Sequence, residues 1–230
     1  MAFISMFDVL GPEMIGPSSS HTAGACSIAL LAGKMADSPI AEVEFTLHHS
    51  FAKTHRGHGT DLALLGGIMG FSTDDRRIPD ACSIAEERGL SYRFVTDEND
   101  PDTHPNTVDI RITGTDGRVF SVRGESLGGG KVRISRINHI DVDFSGEYST
   151  LIIIHHDRLG VLAHITRCLS EGNVNIAFMK LFRETKGDTA YSIIEFDGCL
   201  PDDMTSQIYE NKHVMEVMFI PMQGGCNNGL

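Results

Sequence analysis

Gly16-Pro17 closes one segment of this chain, and Ser18-Ser19-Ser20-His21-Thr22 then places four hydroxyls and an imidazole in five consecutive positions, directly ahead of an apolar run. The run from Ala23 to Ala36 carries Ile28, Leu31 and Met35 at spacings that predict one buried helix face. A helix entered this way must satisfy the N–H groups of its first turn, and any of the three serines can serve as N-cap. One cap is enough, so spare hydroxyls remain beside the positive end of the helix dipole. That arrangement predicts a cradle for a carboxylate or phosphate. A serine-rich cap with one surface histidine is the plainer reading of the same residues, and the rest of the chain weighs against it.

A chain of 230 residues with 41% hydrophobic content can bury one large or two small cores. Its formal net charge of −12 argues against nucleic acid or an anionic membrane as partner. The first residues are apolar but lack the basic start of a secretory signal, and no uncharged apolar stretch approaches the roughly 20 residues of a membrane helix. The expectation is a cytoplasmic protein. The five cysteines, Cys26, Cys82, Cys168, Cys199 and Cys226, are odd in number and widely scattered, which argues against a disulfide framework. None forms a C-x-x-C pair, so the spacing does not predict a zinc or iron–sulfur site in this chain alone. Cys26 and Cys168 fall in helical patterns and read as small core residues, whereas Cys226 stands in a glycine-rich tail.

The chain changes character near residue 147. Residues 1–146 mix helix and strand signals in an α+β pattern, helices over a mixed or antiparallel sheet. Glu42 to His49 alternates as a strand with Val43, Phe45 and Leu47 on one face, and Gly59 to Gly70 reads as a helix entered through Thr60-Asp61. A short helix at Ile84–Arg88 precedes strands at Leu90–Thr96, Thr107–Thr113 and Arg118–Arg123. Gly128-Gly129-Gly130 breaks the pattern ahead of a strand at Val132–Ile137. Residues 149–222 are more regular: strand, a helix from Val161 to Glu171, two strands, a helix after Pro201-Asp202, and a last strand at Val214–Pro221. This order is βαββαβ, the ferredoxin-like unit. Residues 223–230 read as a flexible tail.

Four further motifs in the first part carry chemistry. Arg56-Gly57-His58-Gly59-Thr60-Asp61 flanks an imidazole with glycines, which removes steric cover and admits a ligand. His104-Pro105-Asn106-Thr107 follows, then Ser126-Leu127-Gly128-Gly129-Gly130, whose bare amides can bind a carboxylate or hydroxyl. The pair His48-His49 at a strand end is the weakest of the set. Imidazoles in such loops predict proton transfer or ligand binding.

Taken together, Gly-Pro-Ser-Ser-Ser-His-Thr, Gly-His-Gly-Thr-Asp, His-Pro-Asn and Gly-Gly-Gly, ahead of a ferredoxin-like unit, closely resemble the β chain of iron–sulfur-dependent L-serine dehydratases over essentially all 230 residues. The second part, with Asp157, Gly160, Val161, Leu162, Asn173, Asn175 and Ile176 at the matching positions, resembles an ACT domain, a family that binds small effectors and tends to pair its sheets. The resemblance implies an N-terminal mixed α/β domain followed by an ACT domain. It implies conversion of L-serine to pyruvate and ammonia, in amino-acid catabolism and gluconeogenesis, with a [4Fe–4S] cluster held by a separate α subunit. A cluster role for Cys226 and a monovalent-cation requirement are left open by it. ACT-mediated homodimers are a further expectation.

On this resemblance His21 and His58 are the catalytic residues, one as base or relay and the other positioning the substrate, without a ranking between them. Ser18, Ser19, Ser20 and Thr22 hold the substrate carboxylate, with Thr60, Asp61, His104, Asn106, Gly128 and Gly129 completing the binding site. Asp61 reads equally well as a helix cap. The same fold also resembles the allosteric substrate-binding domain of some phosphoglycerate dehydrogenases, in which case the cradle binds an anion without chemistry. A metal-dependent hydrolase built on His48, His49 and His58 lacks a recognised ligand spacing.

Overall fold

The serine-rich stretch enters a helix as its spacing predicts, but through a wider turn. In the computed structural model, which describes residues 13–36, 38–97 and 103–222, Ser18 is the N-cap in extended backbone (φ −140°, ψ 124°). Its Oγ accepts the His21 backbone N–H at 3.1 Å. The turn Ser19–Gly24 is π-helical, and Ala23 N–H reaches back to the Ser18 carbonyl at 3.3 Å. Helix α1 (Ala25–Lys34) continues from it with Cys26, Ile28, Ala29, Leu31 and Ala32 buried. Each large side chain among these contributes roughly 1.5–3 kcal/mol on burial.

The strands and helices that follow are β1 (Ile40–His48), α2 (His49–Thr54), α3 (Thr60–Ile68), α4 (Ala81–Glu87), β2 (Ser91–Asp97), β3 (Thr107–Gly114), β4 (Val119–Gly128), β5 (Lys131–Ile137) and β6 (Ile140–Phe144). The sheet order is β2-β1-β3-β4-β5-β6, with β1 and β2 parallel and β1–β3, β3–β4 and β4–β5 antiparallel. Val43, Phe45 and Leu47 are fully buried, as their alternation predicts. Three elements differ from the sequence expectation. The strand predicted to end at His49 ends at His48, because His49 adopts left-handed backbone (φ 42°) and opens α2, six residues too short to show a period. Strand β4 runs on past Arg123 to Gly128, its register shifting at Arg123/Gly124 and again at Ser126/Gly128. β6 alternates buried Ile140, Val142 and Phe144 with exposed Asp141 and Asp143, a period-two pattern the sequence reading passed over.

Helix α1 approaches its neighbours through glycine. A Cβ on Gly124 of β4 would stand 2.2 Å from Ile28 Cγ2, and one on Gly67 of α3 would stand 2.3 Å from the Cys26 carbonyl oxygen. The Cys26 thiol itself donates to the Phe71 carbonyl at 3.4 Å, and burial, then Asp75 and Asp74, push its pKa up to about 12. It is a core residue, as expected.

The chain divides into two compact units between His139 and Ile140; the sequence reading set its boundary a few residues later, at 146/149. In the second unit β7 (Ser149–His156), α5 (Val161–Glu171), β8 (Ile176–Arg183), β9 (Thr189–Phe196), α6 (Met204–Tyr209) and β10 (Val214–Ile220) give the expected βαββαβ order, in an antiparallel sheet β10-β7-β9-β8. Val161, Ile165, Cys168 and Leu169 of α5 join Met204 and Ile208 of α6 on Leu151, Ile153, Ile194 and Phe196. Asn173 stops α5 in left-handed backbone (φ 55°), and Val174 N–H caps the Leu169 carbonyl at 2.9 Å. Among the described residues no helix is long and apolar enough to cross a membrane. The expectations for the tail 223–230 and for Cys226 lie outside the described residues.

Because the atom facing Gly67 is backbone, the helices can accommodate a methyl group only by separating. Gly67→Ala is expected to cost about 3 kcal/mol, read as a fall in the urea unfolding midpoint.

Candidate functional site

His21 occupies the first turn after the Ser18 cap, with both ring nitrogens facing hydroxyls. Nε2 shares a hydrogen bond with Ser50 Oγ at 2.9 Å, and Nδ1 lies 3.3 Å from Ser18 Oγ. The His58 ring lies alongside at 5.1 Å between centroids and 30° between planes, and the buried Phe51 meets the His21 ring edge-on at 5.5 Å. Two sequence motifs separated by some 35 residues therefore meet ring to ring. Burial, and after it the neighbouring His58, lower the pKa of His21 from its ordinary 6.5. Both effects favour the neutral form of the ring.

The cradle surrounds this pair. Ser18, Ser19 and Ser20 are half-buried at its entrance, and the Gly128 backbone lies against Ser20: a Cβ there would be 3.8 Å from Ser20 Oγ. Gly128, Gly129 and Gly130 all have positive φ, which lets the loop turn tightly beside the serines. Beneath them Gly24 passes so close to β4 that a Cβ would stand 2.1 Å from Ser126 Oγ. Thr22, expected in the cradle, has another task. It is 2% exposed, and its hydroxyl donates to the His58 carbonyl at 3.2 Å, tying the two histidine loops together.

The remaining expected residues support this centre from behind. Gly59 (φ 67°) is the N-cap of α3, which leaves the buried Thr60 Oγ1 without a partner among the described residues, like His58 Nδ1 and Ser126 Oγ. Asp61 sits in the first turn of α3 and accepts the Leu62 N–H at 2.9 Å. His104 faces its own loop, Nδ1 accepting the Asn106 N–H at 3.3 Å. The Asn106 carbonyl accepts the Ser126 N–H at 2.9 Å, and the Pro105 carbonyl accepts the Ser50 N–H at 2.9 Å. The His-Pro-Asn loop therefore joins the glycine loop to the residue that holds His21. His48 belongs elsewhere: it is 2% exposed and bonded to Asp109 at 2.9 Å. Ser50 is the residue that sequence reasoning missed. Its signal was a hydroxyl directly after a His-His strand end, read there as strand.

In the second unit, Asp157, Gly160 and Leu162 line a hollow with His155, Arg183 and Lys186. Asp157 accepts the Gly187 N–H at 3.0 Å and pairs with Arg183, which together hold its carboxyl below the usual range. Gly160 (φ 86°) caps α5, and Val161 is buried in the core. Asn173, Asn175 and Ile176 lie outside that hollow. Asn173 stops the helix, Asn175 reaches Asp197 at 3.4 Å, and Ile176 packs on the core.

Among the described residues no three His, Cys, Asp or Glu side chains gather as a metal site. Cys26, Cys82, Cys168 and Cys199 are free thiols, the first two in the first unit and the others in the second. A [4Fe–4S] cluster does not fit this part of the chain.

Residues 5–89 match the model of the serine dehydratase beta chain, and residues 151–216 match an AHAS small subunit-like ACT domain. The L-serine dehydratase beta chain of Peptoniphilus asaccharolyticus is 40% identical over 90% of this chain and 94% of its own. The probable L-serine dehydratase beta chain of Bacillus subtilis is 35% identical over 94% and 98%. The chain belongs to the L-serine dehydratase β-chain family. A D-3-phosphoglycerate dehydrogenase of Bacillus subtilis is 26% identical over 85% of this chain but only 37% of its own length, a more distant likeness.

The sign of the His21 shift is testable. A histidine pKa held down by burial and a neighbouring imidazole must rise when that imidazole is removed. An NMR titration is expected to place His21 below 6.5 in the wild type and nearer to 6.5, but not above it, in His58→Gln, since burial remains.

Proposed function

We propose that this chain is the β subunit of a cytoplasmic L-serine dehydratase that converts L-serine to pyruvate and ammonia together with a separate α subunit. The observation that carries this reading is His21, flanked by Ser18 and Ser50 and faced by His58 at the mouth of the serine cradle. Elimination of water from serine requires that the carboxylate be held, that the α proton be removed, and that hydroxide depart. The first-turn amides and the Ser18–Ser20 hydroxyls meet the first need through hydrogen bonds and the helix dipole. The neutral imidazole of His21 meets the second as general base. His58, alongside it and with Nδ1 uncommitted, orients the substrate and offsets charge as the proton moves. A [4Fe–4S] cluster carried by the α subunit would supply Lewis-acid chemistry for the leaving hydroxyl.

A purely anion-binding subunit of the phosphoglycerate dehydrogenase kind would need the cradle. It would have no use for a neutral imidazole between two serines with a second imidazole beside it. The hollow of the ACT unit, with Arg183 and Lys186 on its wall, fits a small anionic or amino-acid effector, and pairing of copies through this unit belongs to the same reading.

The test is anaerobic reconstitution with the α chain, iron and sulfide, followed by assay of pyruvate from L-serine. Activity is expected only in the mixture, with kcat reduced about 100-fold or more in His21→Ala and in His58→Ala. An intact cluster without pyruvate, or near-normal turnover in both variants, would overturn the proposal.

A further inference from the structure

The hydroxyl on Nε2 of His21 belongs to Ser50, and the backbone around Ser50 is unusually constrained. β1 ends at His48, whose Nε2 lies 2.9 Å from Asp109 Oδ2. Arg123 holds the other side of the same carboxylate, Nε on Oδ1 at 2.7 Å and Nη2 on Oδ2 at 2.6 Å. Burial alone would raise the Asp109 pKa, but the hydrogen bonds and charges of Arg123 and His48 bring it down to about 2, so the carboxylate is ionised at any working pH. The strand end is thereby fixed on three strands. The next residue, His49, takes left-handed backbone at φ 42°, a conformation that costs a residue with a Cβ roughly 1 kcal/mol or more. This bend delivers Ser50 into α2, where its N–H donates to the Pro105 carbonyl at 2.9 Å and its carbonyl accepts the Thr54 hydroxyl at 2.7 Å. Both backbone groups are engaged, and the side-chain hydroxyl alone faces His21.

Both ring nitrogens of His21 lie within hydrogen-bond reach of a hydroxyl, so the ring tautomer decides which partner donates at each. Ser18 Oγ already accepts the His21 backbone N–H at 3.1 Å, and Nδ1 lies 3.3 Å from the same oxygen. If Nδ1–H donates to Ser18, the Ser18 proton remains available to an anion in the cradle. If instead the Ser18 proton goes to Nδ1, the cradle loses that donor. In the first case the shorter contact, Ser50 Oγ to Nε2 at 2.9 Å, is a hydroxyl donating to a bare nitrogen.

We infer that Ser50 is a positioning residue for His21, its hydroxyl donating to Nε2 and so holding the ring as the Nδ1–H tautomer in one orientation in the site. This rests on the reading of His21 as the base. The anchored strand end and the bend at His49 keep Ser50 within hydrogen-bond reach of the ring, and replacement of its side chain leaves both backbone hydrogen bonds intact.

The full chain, labelled with 15N-histidine, reports the tautomer directly, with His21 identified by the signal lost in His21→Gln. The wild type is expected to show Nδ1 protonated and Nε2 bare. Ser50→Ala is expected to show a mixture of the two tautomers, and Ser50→Thr, which keeps the hydroxyl, to restore the single form. In the assembled enzyme Ser50→Ala is expected to lower kcat by about 10- to 100-fold with KM within about twofold, as for a displaced catalytic group, and Ser50→Thr to recover most of the loss. An Nε2–H tautomer in the wild type, an unchanged tautomer in Ser50→Ala, or unchanged kcat in that variant would overturn the inference. An assembled wild-type enzyme that makes no pyruvate would overturn the proposed function instead, because the tautomer is read without turnover.

Discussion

Helix α1 lies closer to its surroundings than any side chain beyond hydrogen allows, and the site depends on that closeness. Gly67 lets α3 approach the Cys26 carbonyl, Gly124 lets β4 approach Ile28, and Gly24 sets the π-helical turn against Ser126. Each contact removes the space of a methyl group between main chains. The helix N-terminus is therefore pressed between a strand and a second helix, and the loops leading into those elements converge on it. Tight packing of this kind transmits displacement, since interiors packed to crystal density have little free volume to absorb it. The position of His21 is consequently a property of the whole first unit.

Around that terminus the polar groups fall into two sets. One set is fully committed to other protein atoms. Thr22 is bonded to the His58 carbonyl, Asn106 to Ser126, and Ser50 to Pro105 and His21. These bonds fasten four separate sequence motifs into one frame. The other set is buried without a partner among the described residues: His58 Nδ1, Thr60 Oγ1 and Ser126 Oγ. Buried polar groups without partners cost about 1–3 kcal/mol each, so their persistence around one cradle marks a place organised for something other than stability. His21 belongs to the first set, and His58 belongs to both, its carbonyl held by Thr22 and its Nδ1 without a partner.

The second unit is built on a different economy. Its core is a continuous apolar layer between α5, α6 and the sheet, and the strands also bury a polar pair, His155 and Ser192 at 2.9 Å. Asp157 clamps the Gly187 turn and pairs with Arg183, while Asn173 ends α5 in the left-handed conformation its short polar side chain tolerates. Residues that a family resemblance marks as binding positions thus carry backbone duties here. Position in a motif does not separate the two roles, because a turn that presents a ligand site must also be a stable turn.

The sequence by itself determined the elements and their order. Period and punctuation are local: α5 matches its expected span from Val161 to Glu171, the alternation of Val43, Phe45 and Leu47 marks the buried face of β1, and Gly128-Gly129-Gly130 marks the end of a strand. The histidine and serine motifs were legible for the same reason, since each is contiguous. Only the tertiary structure decided which motifs meet and what each side chain does there. It brought the ring of His58 to that of His21, turned Thr22 inward to a carbonyl, withdrew His48 into a hydrogen bond with Asp109, and brought in Ser50. None of these follows from local pattern, because a hydrogen bond or ring contact between residues roughly 30 to 60 positions apart is fixed by helix–sheet packing and by one left-handed residue at His49. Short elements such as α2 and β6 are likewise decided by their neighbours, being too brief for their own periodicity to outweigh them.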